Sequence, residues 1–171
     1  MSDSARVTRC ELPPGSRLLE ALAPVDYLES FAVDADAHDR TIVEIYAALL
    51  GRPPAIFKHA LVLRSLIVKP LGLRGVRYRD LDRAIDTTRT YAPGDRLGRW
   101  TIYAHTADEL VTGEDDAHLN FRVSVLRDPG AKRIVLSTSV QTRNALGRAY
   151  LATILPAHRL GVGFLLRRGM A

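Results

Sequence analysis

His118, Asn120, Arg122 and Ser124 alternate with Leu119, Phe121, Val123 and Val125, a period that defines one strand with two unlike faces. The polar face offers an imidazole that titrates near neutrality and a carboxamide that both donates and accepts. It also offers a guanidinium whose planar fork suits a carboxylate or phosphate. Such a row could orient an anionic or carbonyl-bearing ligand. It could equally be the solvent face of an amphipathic strand, with Arg122 paired to a neighbouring acid. Just ahead of it, Glu114, Asp115 and Asp116 crowd into a turn. Asp116 with His118 could perform general acid/base work, although acids in a tight turn also serve as solvated or capping groups.

A second constellation lies near the C-terminus. Arg148 and Arg159 are eleven residues apart, about three helical turns, and so share a helix face. Tyr150 and His158 lie on nearby parts of it. Arg148 near the positive end of a helix needs an acidic partner, and Glu114 or Asp116 could supply it in a structural ion pair. Trp100, Tyr103, Tyr150 and Phe31 are the aromatics expected to line a pocket or, as aromatics commonly do, to fill the core. The histidines are scattered without metal-ligand spacing. Neither a phosphate-cradling Gly-rich loop nor a Gly-x-Ser-x-Gly elbow occurs. No metal or cofactor is implied.

These residues need elements to hold them. Pro13-Pro14-Gly15-Ser16 is a turn before a short helix at 17–22, and Asp26–Asp34 alternates as a strand with Tyr27, Phe31 and Val33 on one face. Thr41 and Glu44 form a capping box for a helix that ends at Gly51. Pro54 begins a second helix, to about Val68. Residues 73–98 form a loop with a short helix around Leu81–Ile85, or a lid over a site. Strands at 98–104, 109–114, 118–127 and 133–143 follow, joined by turns so short that they must form an antiparallel meander. Asn144 then caps a closing helix, within which Pro156 should bend the axis or break the hydrogen-bond ladder.

With 47% hydrophobic and 25% charged residues, the chain has the composition of an ordinary soluble protein. At 171 residues it is expected to be one domain. A single cysteine, Cys10, forbids an internal disulfide. The first residues lack the apolar core of a signal peptide, so a cytoplasmic location is expected. The stretch from Ala149 to Leu166 is interrupted by Pro156, His158 and Arg159, which argues against a membrane span.

Charge is uneven. No acid follows Asp128, and the cations beyond it contribute +7, leaving the first 128 residues at −2. The basic end could attract an anionic surface or pair with the acidic first part. Aromatics are not interleaved with the cations, so nucleic acid is not expected as a partner. A homodimer remains open.

The order of strand, helices, meander and closing helix is an α+β arrangement, and the simplest packing curls the sheet around the last helix. That is the helix-grip layout of START-like proteins. Three motifs carry a resemblance to the family called domain of unknown function 2867: Asp26-Tyr27-x-x-Ser30-Phe31, Gly113-Glu114-Asp115-Asp116-x-His118-Leu119-x-Phe121-Arg122 and Gly147-Arg148-x-Tyr150-Leu151. Pro156-x-His158-Arg159 extends it. In that family the domain also occurs behind NAD(P)-binding domains, but this chain has no dinucleotide fingerprint and no redox activity carries over. The family often has an acid where Asn120 stands, which tells against any mechanism needing a carboxylate there.

The resemblance and the layout imply a START-like module holding a small amphipathic or apolar ligand in a cavity between sheet and C-terminal helix. His118, Asn120, Arg122, Trp100, Tyr103, Tyr150 and His158 are its expected lining. The alternatives are an enzyme using that cavity, with His118 and Asp116 as acid and base, and a module that docks a protein or an anionic surface.

Overall fold

Alternation and short turns do most of the building. The computed structural model describes residues 6–51 and 84–170. Strands β1 (Val7–Cys10), β2 (Tyr27–Asp34), β3 (Arg96–Leu97), β4 (Trp100–His105), β5 (Glu109–Asp115), β6 (Leu119–Asp128) and β7 (Arg133–Thr142) form one antiparallel sheet in the order β1-β2-β7-β6-β5-β4-β3. The expected meander is β4 to β7. Strand β2 docks against β7, pairing Tyr27 with Val140 and Asp34 with Arg133, and β1 folds back on β2 as an edge.

Helix α1 (Leu18–Ala21) is a single turn. Helix α2 (Ile42–Leu50) starts at the capping box, Thr41 accepting from the Glu44 N–H while Glu44 accepts from the Thr41 N–H. Two of the orphan N–H groups at a helix start are satisfied this way. Helix α3 (Ala145–Gly169) is capped by Asn144, whose Oδ1 accepts from the Gly147 N–H at 2.9 Å. Pro156 sits within it on the exposed side, and the helix runs on to Gly169. By length and composition α3 could cross a bilayer. Its Leu151, Val162 and Leu166 are buried in this fold.

The side chains of one sheet face meet α2 and α3. Val33, Leu110, Val125, Ile134 and Leu136 pack with Ile45, Tyr46, Leu49, Val162 and Leu166 into the core. The Tyr46 hydroxyl reaches Thr112 on β5 at 2.8 Å, one polar link in an apolar layer. The opposite face lies under residues 12–24, with Leu18 fully buried against it. The sheet with its long C-terminal helix matches a helix-grip-like arrangement.

The second helix expected from Pro54, and residues 73–83 of the expected loop or lid, lie outside the described residues. The rest of that segment is tied to the sheet. Leu97 in β3 is buried, Arg96 pairs with Thr101, and the buried Tyr91 donates to the Asp86 carbonyl at 3.0 Å.

Candidate functional site

Register decides which way the polar row of β6 points. Phe121, Val123 and Val125 belong to the core under the helices, so Asn120, Arg122 and Ser124 point to the opposite face. Arg122 is 3% exposed there. Its guanidinium lies 3.4 Å from the centre of the Tyr103 ring, and Nη1 is 2.8 Å from Asp115 and donates to the Phe121 carbonyl at 2.8 Å. Gly113 lies beneath this side chain, where a Cβ would stand 2.8 Å from Arg122 Cδ. The acid that pairs with Arg122 thus lies between Glu114 and Asp116. Asn120 donates to Gln141 at 3.0 Å. Farther along this face the buried Glu109 accepts from Ser124 at 2.5 Å, Ser16 at 2.6 Å and the Arg17 N–H at 2.7 Å. Arg122, Tyr103 and Asn120 therefore do not share a space with α3.

His118 sits in the turn before β6 and binds the start of α3. Its Nδ1 is 3.1 Å from Asn144 Nδ2, its carbonyl accepts from the Arg143 N–H at 2.8 Å, and Gly147 packs on that carbonyl so closely that a Cβ would collide. Asp116 accepts from the Ala117 N–H at 2.7 Å and shares no hydrogen bond with His118. Arg148 is exposed and its charge is felt at Asp26, whose carboxyl is held below its ordinary value chiefly by hydrogen bonds from Thr142.

The helix-facing side gathers a different set. Tyr27 and Glu29 on β2, Thr138 opposite Glu29 on β7, and His158 and Arg159 on α3 converge near the β1 edge. Glu29 is 4% exposed. It takes Arg159 Nε at 3.0 Å, Arg9 Nε at 3.1 Å and a short hydrogen bond from the Tyr27 hydroxyl. Burial pushes the Glu29 pKa up, but the Tyr27 bond and the two guanidiniums outweigh it, so the net shift is downward and the group is ionised. Burial, then the bond to Glu29, lifts Tyr27 to about 12. His158, edge-on to Tyr27 at 6.3 Å, is lowered by burial and then by Arg159, against the pull of Glu29. At neutral pH the cluster is two cations, one anion and two neutral rings.

The same helix-facing layer holds buried polar atoms with no partner among the described residues, from His158 and Thr138 at this cluster to Trp100 four strands away. Thr138 Oγ1, His158 Nδ1 and Trp100 Nε1 are three such atoms in this layer, and Asn120 Oδ1, Arg122 Nε and Ser139 Oγ are three more on the opposite face. Trp100 packs edge-on to Phe121 at 5.5 Å, and Phe121, Val140 and Tyr27 continue across β6, β7 and β2 in one row. Along this row Trp100, Phe121 and Tyr27 are half-buried, as is Tyr150 on α3, whereas the α2 end of the layer is sealed. An open hollow of about 580 Å³ borders the cluster, lined by Arg9, Cys10, Glu11, Leu12, Leu28, Glu29 and Ser30. Among the described residues no group of metal-ligating side chains gathers.

Of the residues expected to line a site, Trp100, Tyr150 and His158 belong to the sheet–helix layer. Glu29, Arg9 and Thr138 are additions. Glu29 carries a signal in the sequence, because the alternation Tyr27, Glu29, Phe31, Val33 sets an acid on the apolar face of a strand. A buried acid implies partners, but the spacing does not say which.

A family model described as "Protein of unknown function (DUF2867)" matches residues 21–164. No curated protein and no solved structure matches the chain.

Proposed function

The chain belongs to the DUF2867 family of proteins of unknown function, and from that premise we propose that it is a small-molecule-binding module. The ligand would be elongated and partly apolar, lying between the helix-facing side of the sheet and the first half of α3. One observation carries the reading. Thr138 Oγ1, His158 Nδ1 and Trp100 Nε1, buried without partners among the described residues, coincide in one layer with the half-buried row of Trp100, Phe121 and Tyr27, and a buried polar group left unpaired costs about 1–3 kcal/mol. A ligand supplying those hydrogen bonds would remove the cost. From Trp100 on β4 to Tyr27 on β2 is four inter-strand steps, about 19 Å. Its floor would be Trp100, Phe121 and Tyr27, with Glu29 and His158 at the polar end.

The test is a native mass spectrum of freshly purified protein, followed by its denatured mass. An excess mass that leaves on denaturation is expected, and Thr138→Val should diminish it. A bare native mass, with no rise in Tm from any amphipathic compound tried, would overturn the proposal.

A further inference from the structure

We propose that the ligand's polar end is an anion, a carboxylate or a phosphate, held by Arg9 and Arg159 at the β1 edge. This rests on the binding reading above and adds the chemical class of the head group. Arg9 and Arg159 each bring a cation to one buried carboxylate, Glu29, so the cluster carries one positive charge in excess. Both use Nε for Glu29, and their side chains remain 66% and 49% exposed. Arg159 also meets the Tyr27 hydroxyl, and the remaining edges of the two forks are exposed to a further acceptor. Arg presents several donors in a fixed fork, and one carboxylate does not exhaust two such forks.

The neighbours fit an anion and not a cation. Tyr27 already donates to Glu29 and stays neutral. Thr138 Oγ1 is a buried hydroxyl free to donate. The His158 ring can offer an N–H at Nδ1 without carrying charge. Glu11 is exposed and borders the hollow outside β1. A cationic head would meet two guanidiniums. A neutral head would leave the two exposed guanidiniums to water and forgo a charge-assisted contact. The apolar row of Trp100 and Phe121 leads away from this end, so the ligand class is an amphipathic anion, tail over the sheet and head at β1.

The experiment compares laurate, dodecanol and dodecylammonium as competitors of a fluorescent apolar probe, below their micellar concentrations and at pH 7.5. Laurate should bind about tenfold tighter than dodecanol, the gain expected of a charge-assisted contact. Arg9→Gln and Arg159→Gln should each remove most of that preference while dodecanol binding persists, which also shows the variants are folded. Equal affinity for laurate and dodecanol, or preference for dodecylammonium, would overturn the anion assignment and leave the binding module standing. Absence of binding by all three would overturn both.

Discussion

Glu29 is a carboxylate that folding has buried and then surrounded, and its neighbours set how the protein responds to acid. Its pKa is lowered by Tyr27, Arg159 and Arg9 against burial, so its stabilisation is present above the ordinary carboxylate value and is lost as pH falls through the folded one. His158 acts earlier. Burial lowers it from 6.5, so the unfolded chain takes up this proton first, and stability begins to fall as pH drops below about 6.5. A series of Tm values from pH 8 to pH 4 should show that decline, and His158→Asn should flatten its upper part; an unchanged slope would refute the assignment. Thr138→Val makes a second case. It removes a buried hydroxyl without a partner while keeping the side chain's shape, so the unliganded protein should gain about 1 kcal/mol in urea melts, even as ligand affinity falls. Arg122 belongs to the other face, where it is packed between Tyr103 and Asp115. Arg122→Ala should cost about 2–4 kcal/mol of stability, largely through lost packing, and leave the laurate preference intact. The sequence displayed Arg122 through strict alternation and concealed the Glu29 cluster for a physical reason. Arg159 lies 130 residues from Glu29, and only the tertiary fold brings them together.

At the scale of elements, what was legible is what local chemistry decides. The Thr41–Glu44 box, the Asn144 cap and the turns read at 105–108, 115–117 and 128–131 each follow from a few adjacent residues, and the structure has the caps as read and the turns displaced by about a residue, at 106–108, 116–118 and 129–132. β1 and β3 escaped because four and two residues are too few to establish a period. Neither did periodicity tell which face of β6 meets the helices, since a polar row suits a cavity wall and an outer face equally. The join between the β5–β6 turn and α3 shows how a local signal gains a tertiary role. Asn144 caps α3 and also donates to the Ala117 carbonyl at 3.3 Å, while Gly147 lets the first helical turn rest on His118. Gly147→Ala would force a Cβ into the His118 carbonyl, so the helix start must lift off the turn. Its cost in a urea melt should therefore exceed that of Asn144→Ala, whose lost cap is worth about 1 kcal/mol. The usual helix preference for Ala over Gly predicts the opposite sign for Gly147→Ala, which makes the variant decisive.

For the whole molecule, the edge at β1 governs whether chains can pair. Without β1, the eight residues of β2 would present unpaired N–H and C=O groups along a strand whose inward face carries Phe31 and Val33. Such an edge is a template for pairing with a second chain. β1 blunts it with a short strand carrying Arg9 on the helix-facing side, and that arginine also closes on Glu29. The edge is thus a structural cap and one wall of the proposed head-group site together. Removing residues 1–10 should lower Tm and produce association that grows with concentration in light scattering. Arg9→Ala separates the two roles, because it keeps the β1–β2 ladder and loses only the guanidinium. It should remain as monodisperse as the parent chain while losing the preference for laurate. If Arg9→Ala associates as the truncation does, edge protection depends on charge and not on strand pairing. If the truncated chain stays monodisperse with an unchanged Tm, β1 protects nothing and its pairing with β2 is incidental to the fold.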